Sequence, residues 1–195
     1  MRFLLALAIL ALSPTLAFAH TGAGHAAGFF HGFEHPIGGL DHVLAMVAVG
    51  VFAYVLGGRA LWLVPLSFVG MMVVGFALGL AQVDMPFVEL GIALSSVVIG
   101  AAAAMGRPMP VALAMGMVGA FAVFHGHAHG AEMPADSSGL TYAAGFVAAT
   151  ALLHLSGLAA TAGIAKGIGR YGKFAAQIAG GLFALGGAGL LAGWL

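Results

Sequence analysis

Six long apolar runs, separated by short polar turns, dominate the chain after residue 35. The runs cover approximately residues 36–56, 60–81, 87–105, 109–125, 140–164 and 174–195. A helix needs roughly twenty residues to cross the hydrocarbon core of a bilayer, so each run is close to the length of one membrane span. Because the connecting turns are short, successive helices should be antiparallel neighbours. The pattern predicts an all-α integral membrane protein, a compact bundle of six transmembrane helices.

The composition supports a membrane protein and limits the chemistry available to it. The 195 residues are 62% hydrophobic and 6% charged, whereas a soluble domain averages about 25% charged residues. The mean hydropathy is +1.11. The formal net charge is zero, so nothing indicates a nucleic-acid partner. The chain has no cysteine, which excludes disulfides and thiolate metal sites and leaves His, Asp, Glu, Met and backbone groups as ligands.

The amino terminus has the features of a cleaved secretory signal peptide. Arg2 precedes an apolar segment at residues 3–12, and a small-x-small sequence ends at Ala19. Cleavage there would divide the chain into a signal peptide (1–19), a His-rich periplasmic segment (20–36) and a transmembrane domain (37–195). The new terminal residue, His20, would offer an imidazole and a free amine to a metal ion. The alternatives are an uncleaved first span and a flexible tail whose histidines bind nothing.

The few charges segregate to opposite ends of the predicted helices. The basic residues of alternate loops are Arg59, Arg107, Lys166, Arg170 and Lys173, and the acidic residues of the other loops are Asp84, Glu132 and Asp136. By the positive-inside rule, the basic loops are cytoplasmic. We therefore expect a multi-pass protein of the bacterial inner membrane, with the amino and carboxyl termini of the mature chain in the periplasm.

Two polar motifs interrupt the apolar runs, and the first contains His35, Asp41 and His42. A helix that starts near Pro36, a favourable first-turn residue, would carry Asp41 and His42 below the membrane surface. Ionisable groups at that depth are costly, so they usually face the bundle interior with a partner or an ion. His35 and His42 are seven residues apart and would share one helix stripe. The set has the chemistry of a metal site, and the alternative is a capped helix start.

The second motif, at residues 125–132, contains three histidines and an acid. If the fourth helix continues through it, His125, His129 and Glu132 share one face and His127 points away. If the segment is extended, the three histidines share a face and Glu132 leaves the set. Either geometry gathers nitrogen donors at the end of the span.

Residue counts place the two motifs at the same depth. His42 is seventeen residues and His125 eighteen residues from the nearest arginine of a basic turn, which puts both about 26 Å above the cytoplasmic side. The motifs can therefore meet in one site. Glu89 lies at the same height, either as an additional ligand or as an acid favoured near a helix amino terminus. His154 is about 8 Å deeper, either a ligand on the path of an ion or a packing residue.

These motifs resemble those of the HupE/UreJ nickel permeases, which are encoded with hydrogenase and urease genes. The first family motif, His-Pro-x-x-Gly-x-Asp-His, matches at His35, Pro36, Gly39, Asp41 and His42. The second, Phe-His-Gly-x-Ala-His-Gly-x-Glu, matches at Phe124, His125, Gly126, Ala128, His129, Gly130 and Glu132. The resemblance extends over essentially the whole chain. It implies uptake of Ni²⁺, or Co²⁺ in some members, across the bacterial inner membrane, with His127 at a variable position.

The resemblance also implies what the protein interacts with. The metal ion would be the transported substrate, no prosthetic group is expected, and hydrogenase or urease maturation proteins are candidate partners. The lipid bilayer surrounds the helices. The glycine-rich last span indicates helix packing or an oligomer contact.

Three functions compete on the residues alone. A permease would bind the ion at a periplasmic site and pass it inward, and its ligands would suit Ni²⁺, Co²⁺, Zn²⁺ or Cu²⁺ alike. An intramembrane hydrolase would use a His/Asp-bound Zn²⁺ to activate water against a lipid amide or ester. A catalytic zinc usually needs three protein ligands rather than a chain of histidines. A membrane-anchored metal sensor or chaperone would not need six spans with interior polar groups.

Overall fold

The computed structural model describes residues 23–135 and 137–194, with side chains from residue 28 onward. The predicted signal peptide and His20 lie outside the described residues. The described part of the chain contains helices and no strand, which confirms the all-α prediction. Its α-helices are α1 Ala23–Gly38, α2 Leu40–Leu56, α3 Ala60–Leu80, α4 Val88–Met105, α5 Val111–Ala131, α6 Gly139–Ile168 and α7 Gly172–Leu191. A 3₁₀ turn, Gly169–Tyr171, joins α6 to α7.

Helix α2 lies at the centre of the bundle. It packs against α3, α4, α6 and α7, and nine of its 17 residues are buried. The largest of its buried side chains are Met46, Val49 and Phe52. A helix that is apolar on all sides suits such a position. His42 lies in the first turn of this helix, so a site built around it is inside the bundle and not on its lipid-facing surface.

The prediction of a single helix that begins near Pro36 is wrong. Pro36 lies inside α1, the chain is extended at Gly39 with φ −98° and ψ 121°, and α2 begins at the next residue. The two helix axes differ by 82°. Proline has no N–H for the preceding turn and glycine stabilises a helix poorly, so the chain bends at this point. His35 and His42 are therefore on separate helices and do not share a stripe.

Helix α1 is held against α6 by two glycine contacts. A Cβ atom at Gly32 would overlap the carbonyl oxygen of Tyr142, and one at Gly145 would overlap that of Phe29. From Ala23 onward, the segment that precedes the first motif is therefore a helix packed on the bundle. Backbone contact at this range fixes the position of α1 and, with it, of His35.

Helices α3 and α5 are in contact along a row of four glycines. Gly75 and Gly79 of α3 meet carbonyl groups of α5, and Gly126 and Gly130 of α5 meet carbonyl groups of α3. Small residues at four-residue spacing allow helix backbones to approach this closely. Helix α5 runs through the whole second motif to Ala131, which is the helical one of the two geometries considered from the sequence.

The described residues contain four helical stretches that are long and apolar enough to cross a membrane, or five if the bent pair α1 and α2 counts as one span. One of the four is the 53-residue stretch Gly139–Leu191, which contains both α6 and α7. Thr161 and Ala179, on either side of the 3₁₀ turn, line one small cavity. Gly172 packs on Ala165 across the same turn. Helices α6 and α7 therefore lie side by side and not end to end.

The contact between α3 and α5 predicts a stability effect at Gly126. In Gly126→Ala, the new Cβ atom would overlap the Met72 carbonyl oxygen, and such overpacking should lower the free energy of unfolding by about 1–3 kcal/mol. Thermal unfolding in detergent micelles, followed by circular dichroism, measures this. Gly116→Ala is the control, because a Cβ atom there meets nothing within 4 Å. Equal melting temperatures for the two variants would contradict the proposed backbone contact.

Candidate metal site

Four imidazoles meet where α1, α2 and α5 converge. The ring centres are 4.7 Å apart for His35 and His129, and 4.9 Å apart for His42 and His125. Those of His42 and His129 are 5.2 Å apart, and those of His35 and His42 are 6.0 Å apart. The bend at Gly39 brings His35 and His42 to the same place from two helices, and successive turns of α5 supply the other two. We call these four side chains the imidazole cluster.

Asp41 fixes the orientation of the His42 ring. Its Oδ1 atom accepts the backbone N–H of His42 at 2.8 Å and lies 3.0 Å from Nδ1 of the same residue. An ionised carboxylate can only accept, so Nδ1 carries the proton and Nε2 carries the lone pair. Nε2 is buried and has no hydrogen-bond partner among the described residues. A carboxylate commonly orients a metal-binding histidine in this way.

Ser95 of α4 fixes the orientation of the His125 ring. The Ser95 hydroxyl donates its hydrogen to the Ile92 carbonyl at 2.6 Å, and its oxygen lies 2.9 Å from Nε2 of His125. Since the one hydroxyl hydrogen is used, Nε2 must be the donor and Nδ1 carries the lone pair. Within the part of the chain that the structure describes, Nδ1 is buried without a partner. The free lone pairs of His42 and His125 are thus on different ring atoms, Nε2 and Nδ1.

His129 is positioned by stacking instead of hydrogen bonding. Its ring lies 4.8 Å from that of Phe146, and the two planes differ by 2°. Both ring nitrogens are buried and find no hydrogen-bond partner in the described chain. The stack holds the plane of the imidazole, and whichever nitrogen lacks the proton is available to a metal ion.

Exposure falls steadily from one end of the site to the other. Glu132, which follows α5, has a side chain 53% exposed, and its Oε2 atom lies 3.3 Å from Nε2 of His35. The side chain of His35 is 31% exposed and that of His42 is 9% exposed. His125 and His129 are fully buried. The imidazole cluster is therefore reached from the Glu132 end, and its deepest donors are shielded from solvent.

The rings are suitably spaced for a shared ion, although their nitrogens do not yet converge. Among the described residues, no three His, Asp or Glu side chains are placed to hold one metal ion. Two imidazoles bound to one ion at about 2.1 Å have ring centres roughly 5 Å apart. Three of the four ring-centre distances given above are close to this spacing. The ring spacing therefore fits a shared ion, and the ring nitrogens would have to turn toward it.

The profile of the HupE / UreJ protein family matches residues 7–190. The chain belongs to the HupE/UreJ family. It is also 47% identical to Protein HupE of Rhizobium leguminosarum bv. viciae over 188 residues, which is 96% of this chain and 95% of that protein. No solved structure matches the chain. HupE/UreJ proteins are metal permeases and not enzymes, and the relationship supports a general role in nickel or cobalt transport.

Four further candidate residues of this HupE/UreJ chain lie outside the imidazole cluster. His127 faces away from it, as the helical geometry requires, and its Nε2 donates a hydrogen bond to the Val83 carbonyl at 2.7 Å. Glu89 is exposed in the first turn of α4. His154 is buried on α6 and contacts Phe68 instead of a second histidine. The fourth candidate, His20, is not among the described residues.

Two of the residues that orient the cluster were not predicted from the sequence. Ser95 and Phe146 lie inside apolar runs, where a polar or aromatic residue usually contributes to packing. The adjacent hydroxyls of Ser95 and Ser96, in a helix whose other polar residue is Glu89 of the first turn, were the one available signal. Phe146 is one of 14 phenylalanines and nothing in the sequence distinguishes it.

The role of Ser95 predicts a selective loss of metal affinity. Ser95→Ala removes the acceptor that fixes the His125 ring, and loss of such a supporting group typically weakens metal binding by about 10–100-fold. Isothermal titration of the purified protein in detergent with Ni²⁺ measures the effect. Ser96→Ala is the matched control, because the Ser96 hydroxyl bonds the Ala93 carbonyl of its own helix. Equal affinities in both variants would contradict the positioning role.

Proposed function

We propose that this HupE/UreJ protein takes up Ni²⁺, with Co²⁺ as an alternative substrate, from the periplasm into the cytoplasm. The ion first binds at the imidazole cluster, together with Asp41 and Glu132, at the periplasmic ends of the first span and of α5. The metal is the transported substrate, and no prosthetic group takes part.

The observation that carries the proposal is the line of donors with decreasing exposure. It begins at Glu132 and His35, continues through His42, and ends at His125 and His129, which are fully buried. Buried polar atoms without hydrogen-bond partners cost free energy, and polar residues inside a membrane usually mark a substrate pathway. A metal ion that binds these nitrogens removes that cost. A cation that moves inward from one donor to the next therefore accounts for the series of donors.

The donor set suits a divalent transition metal. Imidazole nitrogen with carboxylate oxygen is accepted by Ni²⁺, Co²⁺, Cu²⁺ and Zn²⁺, and is a poor set for Mg²⁺ or Ca²⁺. The two carboxylates, Asp41 and Glu132, offset the charge of the incoming ion. The choice of nickel and cobalt within this group comes from the family relationship and not from the ligands.

We further propose six membrane spans: the bent pair α1 and α2, then α3, α4, α5, α6 and α7. A single straight helix over the 53-residue stretch Gly139–Leu191 would be about 80 Å long, whereas the hydrocarbon core is about 30 Å thick. The stretch must therefore cross twice. With the basic turns on the cytoplasmic side, the amino and carboxyl termini of the mature chain are periplasmic and the protein resides in the bacterial inner membrane.

Inside the cell, the proposed recipients of the ion are hydrogenase or urease maturation proteins, in line with the family resemblance. The zinc-hydrolase interpretation gains no support, because HupE/UreJ proteins are permeases and not enzymes.

A shared ion predicts non-additive mutations at His42 and His125. Each alanine variant should reduce uptake of radioactive nickel into proteoliposomes to background, and the double variant should be no worse than either single one, because all three lack the same bound ion. His31→Ala, an exposed residue of α1, is the control and should retain the wild-type rate.

Partial and additive defects in the two single variants would contradict the shared site. The same titration in detergent separates the causes: loss of binding accompanies loss of uptake if the histidines are ligands. Normal binding without uptake would assign them to a later step.

The proposed topology predicts opposite accessibility of two labels. A cysteine introduced at Ala135, in the connection between α5 and α6, should react with a membrane-impermeant maleimide in intact spheroplasts. A cysteine introduced at Gly58, between α2 and α3, should react after lysis only. The native chain has no cysteine, so both labels are read without background. If Ala135→Cys reacted only after lysis, this connection would be cytoplasmic, and the proposed direction of uptake would be wrong.

A further inference from the structure

His154 is a buried histidine outside the imidazole cluster. It is 1% exposed on α6, and neither ring nitrogen has a hydrogen-bond partner among the described residues. Its backbone is fixed, because a Cβ atom at Gly50 of α2 would overlap the His154 carbonyl oxygen. An imidazole held this way, with both nitrogens unpaired inside a helix bundle, is costly unless something binds it.

A single aromatic ring bridges His154 and the imidazole cluster. The Phe68 ring centre is 5.4 Å from that of His125 and 5.0 Å from that of His154. The two imidazoles are therefore no more than about 10 Å apart. Phe68 is fully buried. A hydrocarbon ring offers no lone pair to a metal ion. In this position the Phe68 ring therefore separates two imidazoles that can each bind one.

An apolar groove lies beside His154, on the helix pair that contains Phe68. Pro65 lies inside α3, almost one turn before Phe68, and its missing N–H leaves one helix hydrogen bond unmade. Pro65 and His154 both line an apolar groove of about 320 Å³ between α3 and α6. The groove reaches the surface, where Trp62 and Leu155 are more than half exposed. Phe68 does not line the groove itself, but its ring contacts His154, which does.

We propose that His154 is the next metal ligand inward of the imidazole cluster and that Phe68 is the gate between them. The proposal rests on the proposed function, inward metal transport. With the gate closed, the ion stays on the cluster. When the Phe68 ring turns toward the groove, the ion exchanges one cluster imidazole for a nitrogen of His154. One coordinate bond forms as another breaks, so the ion does not cross the hydrocarbon without a ligand.

The test uses the full chain in proteoliposomes, with Ni²⁺ as the probe. His154→Ala should slow the initial rate of uptake by roughly tenfold or more, the range typical for loss of a group that supports a metal site. The affinity of the detergent-solubilised protein for Ni²⁺ should stay unchanged, because the imidazole cluster is intact. A wild-type rate in this variant would overturn the proposal. Failure of the wild-type protein itself to accumulate Ni²⁺ would instead refute the proposed function.

Chemical rescue distinguishes a ligand from a packing residue. The groove leads to His154, so added imidazole should enter the space left in His154→Ala and restore uptake at a fixed concentration of free Ni²⁺. Pyrrole has nearly the same size but lacks a basic nitrogen, and it should not restore uptake. Rescue by both compounds, or by neither, would overturn the ligand role. If His154→Ala does not fold, His154→Gln keeps the volume with a poorer donor and should still be slow, and a wild-type rate would overturn the proposal.

The gate is tested with two matched leucine variants. Phe68→Leu removes the aromatic barrier and should raise the leak of Ni²⁺ out of preloaded vesicles severalfold. Phe52→Leu changes a phenylalanine of similar burial. The aromatic pairs with His125 and His154 are made by Phe68, so the Phe52 variant should leave the leak at the wild-type rate. Equal leaks in the two variants would assign Phe68 to packing and overturn its role as a gate.

Discussion

The close contact between the backbones of α3 and α5 is the constraint on which the site depends. In the second motif each cluster histidine is followed directly by a glycine, His125 by Gly126 and His129 by Gly130. Successive helix positions point about 100° apart, so the glycines face α3 while the histidines face the interior. Because a Cβ atom at either glycine would overlap a carbonyl of α3, α5 cannot rotate about its axis. The contact between the two main chains therefore sets the direction in which the imidazoles point.

The bend at Gly39 is the second constraint, and it brings His35 and His42 close to each other. On one straight helix, His35 and His42 would be about 10 Å apart along the axis, too far for one ion. The 82° bend brings their ring centres to 6.0 Å and places both beside His129. Pro36 and Gly39 of the first motif therefore act on the geometry of the site, although neither offers a side chain to a metal.

The site combines rings that are fixed with rings that can still move. Asp41 and Ser95 fix which nitrogen of His42 and of His125 carries the lone pair. His129 stacks on Phe146 and has no hydrogen bond among the described residues, so the plane of its ring is set while neither nitrogen is held. A transport site has to bind its ion and then release it. Partly anchored ligands meet both needs better than a rigid cage, which would bind more tightly and release more slowly.

The sequence by itself determined the helical class, the two motifs and the residues that meet in the site. Hydrophobic run length and the cost of buried ionisable groups are local properties of the chain. Nearly equal residue counts to the basic turns predict that His42 and His125 lie at one depth. The tertiary structure decided the rest. The position of His35 depends on the docking of α1 onto α6 through Gly32 and Gly145, a contact between segments more than a hundred residues apart. Ser95, Phe68 and Phe146 acquire their roles through neighbours on other helices, and apolar periodicity carries no information about which neighbour a residue will meet.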